Sequence, residues 1–180
     1  PGARAAVKAT RTNRIGVIGT VGTIKSGAYE RAIRALSPDA IITARPAPLL
    51  VPLIEEGWND HPASRLVVQE YLQPFKAADV DTLVLGCTHY PVLRPVLERV
   101  AGDSVRLVES AQAIADVVRE SVELSANGPG KIVHYVTGDP LAYEHTAQVI
   151  GGVDGEIVPL PISKLVKLEL AAATPARDTQ

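Results

Sequence analysis

Thr82-Leu83-Val84-Leu85-Gly86-Cys87-Thr88-His89-Tyr90-Pro91 is the stretch around which the chain is organised. Leu83-Val84-Leu85 is a short apolar run, the pattern of a strand buried on both faces. Pro91 suits the first turn of a helix, where its missing N–H costs nothing. Leu93, Val96, Leu97 and Val100 then recur at helical spacing. Cys87, Thr88 and His89 therefore fall on a strand-to-helix turn, at the strand end where open α/β sheets place their ligands. Cys87 is the single cysteine of the sequence. It supplies neither an internal disulfide nor a CxxC-type metal site. A thiol beside a histidine and a helix N-terminus can become a thiolate. Free cysteines are also among the most buried residues, and spacing alone leaves both readings open.

The bulk numbers bound the class. The sequence has 180 residues, 46% hydrophobic and 21% charged, a globular composition. A net charge of −2 gives no electrostatic case for a nucleic-acid or anionic-membrane partner. No apolar run approaches the roughly 20 residues that span a bilayer. One cysteine suits a reducing compartment. No methionine occurs, so the sequence reads as part of a longer chain.

Leu85-Gly86-Cys87-Thr88-His89-Tyr90-Pro91 resembles the second-cysteine motif of the glutamate racemases, within the cofactor-independent amino-acid racemases. Three further stretches agree: Gly16-Val17-Ile18-Gly19-Thr20-Val21-Gly22-Thr23-Ile24, Ser26-Gly27-Ala28-Tyr29, and Val51-Pro52-Leu53-Ile54-Glu55-Glu56-Gly57. The resemblance runs in order from Pro1 to about Ile162. It implies that Cys87 is a catalytic acid/base assisted by His89 and Glu55. Thr88, Thr20 and Thr23 are implied to face the substrate. It implies no cofactor and no metal, glutamate as the small-molecule substrate, and a cytoplasmic enzyme supplying D-glutamate for peptidoglycan; a homodimer is left open.

Along the chain, Ala3 to Ala9 favours a short helix. Arg14 to Gly19 reads as a strand. The Gly19–Ile24 segment is glycine-rich, and spacing alone favours a plain βα turn with capping threonines over a ligand loop. A helix is expected over Ser26–Leu36 and a strand over Asp39–Ala44. A proline-rich loop through Pro46, Pro48 and Pro52 follows. Glu55 and Glu56 as neighbours usually mean a solvated helix face, and Glu56 becomes the surrogate for Glu55 if the register slips by one. Trp58 reads as packing and His61 as surface. One amphipathic helix covers Pro62–Ala77. After the Pro91–Val100 helix come a strand at Val105–Val108, Ser110 as an N-cap, and a helix from Ala111 to about Leu124. Asn127-Gly128-Pro129-Gly130 signals a turn. Lys131–Thr137 and Glu156–Leu160 read as strands, Leu141–Ile150 and Ser163–Ala173 as helices. His134 and His145 lack partners at ligand spacing and read as structural.

Strands alternating with helices predict an α/β fold with open, mainly parallel sheet flanked by helices. On the family template, 12–110 is one complete domain and 111–173 the returning portion of a second. Residues 1–11 form a linker helix and 174–180 a frayed tail. The family's first catalytic cysteine, in a Cys-Asn-Thr motif, does not occur, so the 180 residues alone are expected not to racemise. Three alternatives stay open: a racemase for aspartate or another amino acid, a Cys87/His89 hydrolase, and a non-enzymatic α/β fragment.

Overall fold

A computed structural model of the chain describes residues 1–121, 130–152 and 154–165. The chain divides into two compact units, 1–126 and 127–180. The first contains α1 (Gly2–Ala9), β1 (Arg14–Gly19), α2 (Val21–Ser26), α3 (Ala28–Leu36), β2 (Ile41–Pro46), α4 (Leu50–Glu55) and α5 (Pro62–Ala77). It continues through β3 (Thr82–Gly86), a 3-10 turn at Tyr90–Leu93, α6 (Arg94–Ala101), β4 (Arg106–Glu109) and α7 (Ser110–Ser121).

Its four strands form a sheet in the order β2-β1-β3-β4, and all its strand pairs are parallel. The fold is α/β, a parallel sheet flanked by helices. The apolar runs of β1 and β3 lie in the middle. Ile15, Val17, Ile18, Leu83, Val84 and Leu85 are all buried. Full burial of such side chains is worth about 1.5–3 kcal/mol each, which is why both runs read as central strands. Period-2 alternation divides them between faces. Ile15, Val17 and Val84 cluster with Ala3 and Ala6 of α1 and Ile33 of α3. The register pairs Gly19 with Gly86, so β1 and β3 end side by side.

Asp81 fastens the entry to β3. Its carboxylate accepts from the Thr10 hydroxyl at 2.6 Å and from the backbone N–H groups of Arg11 and Thr12, both at 2.7 Å. Burial pushes this carboxyl up. The hydrogen bonds from Thr10, Arg11 and Thr12 outweigh burial and bring it from 3.8 down to about 2. A depressed folded-state value means the stabilisation is complete above the unfolded value and is lost as pH falls from about 4 through about 2. The shift corresponds to about 2 kcal/mol. Asp81→Ala is expected to cost about 3 kcal/mol in urea unfolding at neutral pH, since two amides lose their acceptor. The difference between variant and parent should shrink as the pH is lowered through that window.

Four local expectations are corrected. The glycine-rich Gly19–Ile24 segment, expected as a turn, is largely helix α2, and the helix expected from Ser26 starts at Ala28 as α3, because Gly27 takes a left-handed conformation with φ of 61° between them. The Pro46–Pro52 loop is much shorter than expected. Pro46 ends β2, and Pro52 lies in the first turn of α4, where proline loses no hydrogen bond. The Pro91 helix opens with the 3-10 turn, and its α-helical part starts at Arg94. His61, read only as surface, also caps α5 by accepting from the Ala63 N–H at 3.1 Å, and its ring stacks on Trp58 at 4.3 Å. Trp58 itself is 44% exposed.

The second unit holds β5 (Val133–Val136), α8 (Pro140–Ile150) and β6 (Glu156–Pro159), with β5 and β6 parallel. Asp139 caps α8 through the Leu141 N–H. The His134 ring bonds the Tyr143 hydroxyl at 2.9 Å, a structural pairing, while His145 is exposed. Ile132, Tyr135 and Leu141 are exposed. The expected Asn127–Gly130 turn falls largely outside the described residues, as do most of the Ser163–Ala173 helix and all of the 174–180 tail.

Candidate active site

The site is built on the turn that follows β3. Gly86 ends the strand in a crowded corner. A Cβ there would meet the Ile18 carbonyl oxygen at 3.1 Å, Tyr29 Cε2 at 3.3 Å and Thr23 Cγ2 at 3.4 Å. A glycine lets β3 run out flush with β1 and deliver Cys87 at the carboxyl end of the sheet. Cys87 and His89 are half-buried, and Thr88 is exposed.

The His89 ring lies between a thiol and a carboxylate. Nδ1 is 4.0 Å from Cys87 Sγ and 3.4 Å from Thr88 Oγ1. Nε2 is 3.2 Å from Glu55 Oε1, at the end of α4. The adjacent carboxylates are thereby told apart: Glu55 meets His89, while Glu56 is exposed. A carboxylate on one ring nitrogen orients the imidazole and favours its proton on that nitrogen, leaving the other facing the thiol. A proton can thus pass between Sγ and the ring.

Tyr90 lies behind this group, fully buried, with its hydroxyl donating to the Ala47 carbonyl at 2.9 Å. Burial first, then the neighbouring Cys87 and Tyr71, push its phenol up. Tyr90 therefore stays neutral, and it ties the turn after β3 to the segment leading into α4.

Thr20 and Thr23 stand at the end of β1, beside the turn. Thr20 caps α2, accepting from the Thr23 N–H at 3.2 Å, and the two hydroxyls are 3.0 Å apart. Capping is thus one of their roles. Both remain half-buried at the rim that Gly19 and Gly86 share.

A cavity of about 550 Å³ opens beside Cys87. Cys87, Thr88, Tyr29 and Ser110 line it together with the α7 residues Ile114 and Val118. Thr20, Thr23, Glu55 and His89 do not line it. Cys87 thus meets both the imidazole and the cavity. Tyr29 was given no role by sequence reasoning, and Ser110 only that of an N-cap. The only signal for Tyr29 was its place in Ser26-Gly27-Ala28-Tyr29. Among the described residues, no group of three or more His, Cys, Asp or Glu is placed to hold a metal ion. No described helix is long and apolar enough to cross a membrane.

Residues 2–118 match the family model for Asp/Glu/Hydantoin racemase. The chain is 49% identical over 152 residues to a glutamate racemase of Syntrophus aciditrophicus, covering 82% of this chain and 56% of that protein. It is 46% identical over 147 residues to a glutamate racemase of Neisseria meningitidis, covering 79% of this chain and 54% of that one. The chain thus spans little more than half the length of these curated relatives. Among solved structures it is similar to the glutamate racemase isoform RacE1 of Bacillus anthracis. The TM-score is 0.80 at 33% identity, over 90% of this chain and 62% of that one. Family model, sequence identity and structural likeness converge on one assignment: the chain belongs to the Asp/Glu/Hydantoin racemase family.

Proposed function

We propose that the chain carries one face of a glutamate racemase active site, which interconverts L- and D-glutamate without a cofactor. The observation that carries this reading is the line Cys87–His89–Glu55, with thiol and carboxylate on opposite nitrogens of one ring. Inverting a carbon centre requires a base on one face and an acid on the other. Cys87 is the group for one face. As thiolate it takes the α-proton of one enantiomer; as thiol it returns a proton to the carbanion formed from the other. His89 assists that proton movement, and Glu55 orients His89. Thr88 hydrogen-bonds the substrate, and Thr20 and Thr23 bind it from the end of β1. Glutamate is favoured as substrate because the relatives named above are glutamate racemases. In a cell the reaction would supply D-glutamate to peptidoglycan from the cytoplasm. On this reading 12–110 is one racemase domain, 111–173 belongs to a second, and the opposite acid/base comes from sequence beyond these 180 residues.

The same line would suit a thiol hydrolase, since Glu55 supplies the orienting carboxylate that the sequence motif lacks. Family membership favours the racemase.

The test uses these residues joined to the remaining portion of a family relative. Enantiomers have equal free energy, so kcat/KM must remain equal in the two directions whatever the mutation. Asymmetry has to be read elsewhere. His89→Asn and Glu55→Gln are expected to lower kcat about 10²-fold and about tenfold. They should raise the α-deuterium isotope effect selectively for the enantiomer that Cys87 deprotonates. Equal isotope effects for both enantiomers in both variants would contradict the assignment of His89 and Glu55 to the Cys87 face.

A further inference from the structure

We propose that Tyr29 is a positioning residue for Cys87, held in place by Ser110. The inference rests on Cys87 being the reactive thiol of the proposed function. Three observations carry it. First, the left-handed turn at Gly27 breaks the helix two residues before Tyr29 and re-aims α3, so that the Tyr29 ring lies against Gly86, the residue that delivers Cys87. Second, the Tyr29 hydroxyl and Ser110 Oγ are 2.6 Å apart, across 81 residues of sequence. Third, both residues line the cavity next to Cys87 and Thr88.

The Ser110 bond is informative because a serine at this point in a sequence would ordinarily cap its own helix. Here Ser110 is the first residue of α7 and its hydroxyl bonds Tyr29, far away in sequence. That bond joins the start of α3 to the start of α7, the helix whose Ile114 and Val118 face the cavity. Tyr29 thereby does two things. Its ring limits where the Gly86–Cys87 backbone can move, and its hydroxyl fixes how closely α7 stands over the thiol. Tyr29 thus acts through Cys87.

Cys87 is the sole cysteine, so its alkylation in the 180-residue chain reads one site. The experiment follows iodoacetamide and a bulky maleimide against pH by intact mass, in the parent, Tyr29→Phe, Ser110→Ala and the double variant. Tyr29→Phe keeps the ring, and thermal melts identify any variant that does not fold. Each single variant is expected to speed maleimide addition about three- to tenfold, the scale of one lost hydrogen bond. Iodoacetamide should change less. The double variant should be no faster than either single one, because all three lose the same bond. Rates within twofold of the parent in both folded single variants, or additive effects in the double, would overturn the proposal. If Tyr29→Phe does not fold, Ser110→Ala alone decides by the same criterion. The outcome is separable from the racemase reading, because alkylation needs no glutamate turnover.

Discussion

Cys87→Ser is expected to abolish racemisation, lowering the rate by at least about a thousandfold, in a protein that joins these residues to the remainder of a family relative. The reason is the proton affinity of the group. A thiol has an ordinary pKa of about 8.5 and yields a useful fraction of thiolate near neutrality, whereas a serine hydroxyl does not. The substituted oxygen would still sit beside His89. General acid–base contributions lie at about 10²–10⁴ in rate, and here the base removes the proton whose transfer is the reaction. The loss should appear in both directions, because each direction uses Cys87 once, as base or as acid. Circular dichroism of D- and L-glutamate mixtures reads both directions in one instrument. Glutamate binding should weaken far less than turnover, since Thr88, Thr20 and Thr23 are untouched. Full turnover by Cys87→Ser would end the assignment.

The parts of this site that were legible in the sequence were those set by local patterns. Leu83-Val84-Leu85 followed by Gly86 and Pro91 fixes a strand, a turn and a helical segment within ten residues. Cys87 and His89 come together because they sit two apart on that turn. Glu55 is different. It lies 34 residues from His89, and no spacing rule joins the C-terminal end of α4 to the turn after β3. Only the family resemblance singled it out, and it was the contact itself that separated Glu55 from Glu56. The errors had equally local causes. Three prolines within seven residues read as a loop, yet proline is tolerated at the end of an edge strand and in the first turn of a helix. Ser110 read as a cap because capping is the commonest use of a serine before a helix. Its hydroxyl also bonds a partner 81 residues away, and nothing in the neighbouring sequence records that contact. The two threonines show a mixed case, since the capping that spacing favoured is present at Thr20 while the resemblance assigns both to substrate.

The 180-residue chain by itself is expected to leave optically pure glutamate unracemised, with a rate at least about 10⁴-fold below that of the joined protein. The sequence contains one cysteine, and a single thiol can reach only one face of the α-carbon. A carbanion made by the Cys87 thiolate would be reprotonated on the face it left. Substrate contacts from beyond these residues would be absent as well, and loose positioning alone can cost orders of magnitude. What these residues can still do is narrower and measurable. In heavy water, one enantiomer should lose its α-proton to solvent without inversion, while the other is inert. NMR follows the exchange, and circular dichroism confirms that handedness is kept. The Cys87→Ser chain should show no exchange with either enantiomer, and His89→Asn should slow it by about the same factor as in the joined protein. Inversion at a rate comparable to the joined protein would show that a second acid/base lies within these 180 residues or that two copies complete one site. Dilution separates those two, because a site shared between copies loses activity as the copies part.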